Sequence, residues 1–116
     1  MRQETKANTF WQGRAPLGEV RLVGNDGEGR MVLYATPLGM YISIWIGGRG
    51  LRSGAVYRLA RESDGGNEIL SWFPPLYARG GEAIRHVMTQ KVTPEELWGS
   101  RFLLLDQGKI ALRGSL

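Results

Sequence analysis

The sequence predicts an all-β fold, on three observations. Seventeen glycines and five prolines separate short apolar runs, a spacing that calls for many tight turns. The runs themselves alternate apolar and polar residues with a period of two, the signature of half-buried strands. Helix-start signals appear only near residues 93–98.

Residues 1–13, "MRQETKANTFWQG", are polar except for Phe10 and Trp11, and read as an N-terminal arm or edge segment. Residues 14–116 then form a single β domain. In "GEVRLVG" (18–24), Val20 and Leu22 alternate with Glu19 and Arg21; "NDGEG" follows as a glycine-rich hairpin loop. "RMVLYAT" (30–36) sets Met31, Leu33 and Ala35 against Val32, Tyr34 and Thr36, and "TPLG" closes the next hairpin with Pro37 preset for the first central turn position. "MYISIWI" (40–46) has the clearest alternation, with Met40, Ile42, Ile44 and Ile46 facing in and Tyr41, Ser43 and Trp45 facing out. After the loop "GGRGLRSG", "AVYRLARE" (55–62) sets Tyr57 and Leu59 against Arg58 and Ala60.

The longest irregular connection, "SDGGNEILSWFPPLYARGG", is expected to carry one short strand around residues 69–72. "EAIRHVMTQ" (82–90) alternates again, with Ala83 and Ile84 at the core boundary. "VTPEELWG" predicts a single helical turn: Thr93 as N-cap, Pro94 at the first helical position, Glu96 in the capping-box position and Gly99 as terminator. "SRFLLL" (100–105) and "KIALRG" (109–114) form a closing hairpin around Gln107-Gly108, with Asp106 expected to bond the backbone of that turn. Seven to eight antiparallel strands with one helical turn predict a Greek-key β-barrel or sandwich, whose core includes Ile42, Ile44, Leu59 and Leu103.

Composition bounds the function. A chain of 116 residues holds one core. The absence of cysteine excludes disulfides, thiolate catalysis and thiolate metal sites. The N-terminus has no apolar leader and no stretch approaches the ~18 apolar residues of a membrane span, so the expectation is a soluble, cytoplasmic protein without a membrane partner. The formal charge of +4 comes with arginines scattered from Arg2 to Arg113. They form no basic block, and no RNP or KH motif is present, which argues against nucleic acid.

The closing segment "VTPEELWGSRFLLLD…GKIALRG", preceded by "PPLYARGGEA", resembles the C-terminal half of the Cu/Zn superoxide dismutase family. In that family a turn of the type Thr-x-acidic-acidic-aliphatic-x-Gly leads into a strand ending His-Asp. The last strand there begins with a basic residue and runs into Ala-Cys-Gly. "EVRLVG", "GRMVLYATPLG" and "MYISIWIGGRGLRSGAVYRL" resemble the strands that lead into the family's His-x-His, so the likeness runs in order over residues 17–116. It implies a Greek-key barrel. Family members hold copper through histidines and zinc through histidines plus an aspartate, and dismute superoxide. Here the His-x-His positions fall on Arg58 and Ala60, or on Leu59 and Arg61 in the register shifted by one. The histidine before the closing aspartate is Leu105, the aspartate survives as Asp106, and the cysteine position is Leu112. The resemblance thus implies the scaffold without the copper and zinc ligands: no catalytic, cofactor-binding or metal-ligating residue is expected.

Other residue groups read as structural. His86 is the only histidine and has no nucleophile beside it in sequence, and Glu95-Glu96 suit a helix N-terminus. "GGRGLRSG" lacks the Lys-Ser pair and following helix of a phosphate loop. Trp11, Trp45, Trp72 and Trp98 read as core or interface anchors. The leading expectation is a non-catalytic structural or protein-interaction module that self-associates, using the outward Tyr41 and Trp45 and the arm residues Phe10 and Trp11. Two alternatives stand beside it: a residual metal-dependent redox enzyme, and an anion-binding module built on Arg49, Arg52, Arg58 and Arg61, since arginine grips carboxylate or phosphate with a rigid fork.

Overall fold

The computed structural model describes residues 16–116; the arm at residues 1–13, with Phe10 and Trp11, lies outside them. Among the described residues, nine strands form one antiparallel sheet: β1 (Gly18–Val23), β2 (Glu28–Thr36), β3 (Gly39–Gly47), β4 (Val56–Ser63), β5 (Gly66–Ile69), β6 (Leu76–Tyr77), β7 (Glu82–Thr89), β8 (Arg101–Asp106) and β9 (Lys109–Ser115). Among the described residues, helix is confined to α1 (Pro94–Leu97), between β7 and β8. The spatial order is β5-β4-β8-β9-β1-β2-β3-β7, with β6 pairing the start of β4, and the sheet curls into a half-barrel.

Turn chemistry sets the registers. Thr36 pairs Gly39 across Pro37-Leu38, and the Thr36 hydroxyl both accepts from the Leu38 N–H and donates to the Gly39 carbonyl. Asp106 pairs Lys109 across Gln107 and Gly108, whose φ values of 55° and 82° are both left-handed. That is the mirror-image turn whose twist matches a two-residue hairpin. At α1 the expected capping box is present: Thr93 accepts from the Glu96 N–H, and the Glu96 carboxylate accepts from the Thr93 N–H.

The inward faces fill one main core. Met40, Ile42, Ile44 and Ile46 of β3 are buried, as are Tyr57 and Leu59 of β4, Phe102 and Leu104 of β8, and Leu112 of β9. Leu103 is also buried, but not with them. Ala60, Leu103 and Leu105 form a second apolar cluster, on the opposite face of β4 and β8, because side chains alternate across a strand. Ala60, expected opposite the core with Arg58, is therefore solvent-free all the same.

Two expectations need correction. The connection after β4 carries two short strands, not one near residues 69–72. Asp64-Gly65 closes a tight hairpin with Ser63 opposite Gly66, and β5 is exposed along its whole length, so it lacks the apolar alternation by which a strand is read. At the start of β7, Ala83 is buried but Ile84 is 58% exposed.

Candidate functional site

Three regions bear on function, and each begins with strand alternation. On the outward face of β2, β3 and β7, cross-strand register lines up Tyr34, Tyr41 and Met88 in one row, Val32, Ser43 and His86 in the next, and Arg30, Trp45 and Ile84 in the third. Tyr41 and His86 stack nearly parallel, with ring centroids 6.0 Å apart and the Tyr41 hydroxyl 3.1 Å from His86 Nδ1. Tyr34 packs tilted against Tyr41 at 6.2 Å. The Trp45 indole donates to Glu82 Oε2 at 2.9 Å, which ties the ring to the start of β7. Burial first, then the Tyr34 phenol, push the Tyr41 hydroxyl above its ordinary pKa. The face is thus rich in aromatic and apolar side chains, with Tyr34 and Tyr41 half-buried and Trp45, Ile84 and Met88 exposed. Tyr41 and Trp45 were legible from alternation in β3. Ile84 and Met88 were missed, although Ala83 facing in requires Ile84, His86 and Met88 to face out.

The second region holds the positions where the family resemblance places metal ligands. Arg58 lies directly opposite Leu105, and Ala60 opposite Leu103. Three of these four are the second apolar cluster, while Leu112 is in the main core. The alternative positions are no more polar a set: Leu59 is buried in the main core and Arg61 points the same way toward α1. Leu and Ala side chains have no donor for copper or zinc, and among the described residues no group of three or more His, Cys, Asp or Glu comes together.

Asp106 belongs to the third region, at the end of β8 where the β8–β9 hairpin turns. It does not bond the hairpin turn as expected. Its two oxygens accept from Arg52 Nη2 at 3.1 and 2.8 Å, which ties the loop between β3 and β4 to the β8–β9 hairpin. The turn is already set by Gln107 and Gly108, so the carboxylate is left for a distant partner. Tyr57, buried beside this pair, has its hydroxyl pushed above the ordinary value of 10.0 by burial and then by the Asp106 carboxylate. A raised phenol pKa means that the fold favours the protonated form. The associated stability is intact below pH ~10 and is lost as pH rises through the folded-state pKa. Denaturant titrations across that range should show a declining stability, and Tyr57→Phe should make the decline shallower; an unchanged slope would place the alkaline loss elsewhere.

The arginines disperse. Arg52 is committed to Asp106, and Arg61 donates to Glu68 at 3.1 Å and to the Glu96 carbonyl at 2.9 Å. Arg58 and Arg61 are three residues apart on β4 and so emerge on opposite faces. Among the described residues, Arg49 and Arg58 make no ion pair. Glu95 and Glu96 occupy the first turn of α1. Trp72 packs edge-on against Phe73 at the core margin, and Trp98 is exposed. Among the described residues no helix is long and apolar enough to cross a membrane. No protein-family model, curated protein or solved structure matches the chain.

Proposed function

We propose that this chain is a non-catalytic module of Greek-key type, related in scaffold to the Cu/Zn superoxide dismutases, whose work is to bind a second copy of itself. The observation that carries the reading is the aromatic face of β2, β3 and β7, on which Trp45, Ile84 and Met88 are exposed. A sheet face of this kind, with Tyr and Trp held by hydrogen bonds at their polar ends, has the composition that interfaces favour: large contact area with few rotamers to freeze.

The strand order supports the scaffold. β4, β5, β6 and β7 follow one another in the chain, and β8 returns after α1 to lie beside β4, a long return connection of the kind that a Greek key uses. The retained positions Arg58, Ala60 and Leu105 support loss of the metal chemistry, because they are neighbours on one face yet offer no ligand set. A residual redox enzyme would have to draw on other groups, and an anion site would be left with Arg49 and Arg58, because the guanidinium groups of Arg52 and Arg61 are already engaged.

The test is metal content measured alongside mass. Purified protein should carry no stoichiometric copper or zinc and should run above monomer mass in light scattering, and the double substitution Tyr41→Ser with Trp45→Ser should lower that mass while leaving the β-sheet spectrum intact. Stoichiometric copper with superoxide-quenching activity would overturn the non-catalytic reading, and a wild-type monomer at all concentrations would overturn self-association.

A further inference from the structure

Two Asp-Gly pairs occur in the chain, Asp26-Gly27 and Asp64-Gly65, and no Asn-Gly pair. In an Asp-Gly pair the glycine nitrogen can attack the aspartate side chain, because the glycine carries no Cβ to shield it. Both aspartates are exposed, so access to solvent does not separate them. Their backbones do.

The peptide link of Asp26-Gly27 is clamped by the loop between β3 and β4. The Asp26 carbonyl accepts from the Gly50 N–H at 2.9 Å, and the Gly27 carbonyl accepts from the Gly24 N–H at 3.1 Å. The two loops touch backbone to backbone: a Cβ on Gly27 would lie 2.6 Å from the Gly47 carbonyl oxygen, and one on Gly48 would lie 2.5 Å from Gly27 Cα. Ring closure needs rotation about the Cα–C bond of the aspartate, which turns the peptide plane that follows it. At Asp26 that rotation breaks the bond to Gly50.

The link of Asp64-Gly65 has no such clamp. It lies inside the β4–β5 hairpin, whose ends are held by the residues on either side: Ser63 pairs Gly66, and the Ser63 hydroxyl donates to the Gly66 carbonyl at 2.6 Å. Among the described residues, the Asp64 carbonyl and the Gly65 N–H make no hydrogen bond, and Asp64 makes no ion pair. A Cβ on Gly65 would meet nothing within 4 Å.

We propose that Asp64 is a site of spontaneous backbone isomerisation to isoaspartate, and that the fold protects Asp26. The Gly65 nitrogen bonds to Asp64 Cγ, the C–OH bond of the protonated carboxyl breaks, and the hydroxyl leaves with the nitrogen's proton as water, giving a cyclic imide. Water then adds back. Cleavage of the bond from nitrogen to Cγ restores aspartate; cleavage of the original peptide bond leaves the chain running through Cβ and Cγ, one atom longer. The fold accommodates the product, because β5 is exposed along its whole length and the added atom lengthens an exposed turn without opening the core. This chemistry does not depend on the self-association reading.

The test is ageing of the folded protein at about pH 5, where part of an ordinary aspartate is protonated, followed by proteolysis and mass spectrometry. The imide is lighter by one water, and backbone fragmentation distinguishes isoaspartate from aspartate. Conversion at Asp64 should outpace that at Asp26 by about tenfold, the rate ratio that one retained backbone hydrogen bond supports. In denaturant the two sites should react at similar rates. Gly65→Ala, which adds a methyl beside the attacking nitrogen, should slow conversion at residue 64 by at least about tenfold in a chain that still folds. Equal conversion at the two sites in the folded protein overturns the proposal, as does a folded protein that converts neither while the unfolded chain converts both. A preference for Asp64 that persists unchanged in denaturant also overturns it, since the fold would then protect nothing at Asp26.

Discussion

Phe102→Ala is expected to cost about 3–5 kcal/mol and Ile44→Ala about 2–5 kcal/mol, the largest losses from truncation in this fold. Phe102 is wholly buried on β8, hydrogen-bonded on one side to β4 and on the other to β9. Ile44, equally buried, sits on β3 between β2 and β7. At both positions the ladders on either side hold the backbone, so the space left by the deleted atoms cannot close. The missing contacts then add to the lost transfer free energy. Leu103→Ala should fall at the low end, near ~2 kcal/mol, because Leu103 packs in a cluster of three rather than in the main core. Denaturant titration gives the comparison directly: the midpoints should move in that order with the slope unchanged. A loss below ~1 kcal/mol at Ile44 would mean that its face of β3 is not the inward one.

The strands that could be read from the sequence are those whose two faces differ. β3 sets four buried residues against Tyr41, Ser43 and Trp45 with no exception, and its boundaries follow from Gly39 and Gly47. The helical turn was legible because capping is local: the Thr93–Glu96 pair spans three residues. β5 was not, since Gly66, Asn67 and Glu68 are polar and its pairing with β4 comes from the Asp64-Gly65 turn. The run Phe102–Leu105 could have yielded more. Four consecutive apolar residues leave no polar face, which is how a strand covered on both sides reads, and the second cluster of Ala60, Leu103 and Leu105 is the result.

The candidate site divides in the same way. Tyr41 and Trp45 follow from alternation within one strand, but their partners His86 and Glu82 lie 45 and 37 residues away, and only the register of β3 on β7 joins them. Asp106 and Arg52 are 54 residues apart. Spacing along the chain suggested that the arginines of residues 49–61 gather. The pleat separates Arg58 from Arg61, and the ion pairs to Asp106 and Glu68 take two of the four.

Gly114→Val should be as damaging as a core truncation, for the opposite reason. Gly114 lies on β9 beside β1, and a Cβ built there meets the Arg21 carbonyl oxygen and Val20 Cγ1. The first obstacle is backbone, and Arg21 is held in register opposite Arg30, so neither side can yield without opening the seam between β1 and β9. Overpacking of a close-packed interior usually costs ~1–3 kcal/mol. A branched side chain driven into a fixed carbonyl belongs at ~3 kcal/mol or above, and Gly114→Ala should already be destabilising. Gly65 is the control: a Cβ there has no neighbour within 4 Å and its φ is outside the left-handed region. Gly65→Ala is expected to be neutral or to stabilise by ~0.4–1 kcal/mol through a less flexible unfolded chain. Thermal and denaturant unfolding of the three variants should separate them widely. If Gly114→Val unfolds within ~1 kcal/mol of Gly65→Ala, β9 does not approach β1 this closely, and the half-barrel is more open along that seam.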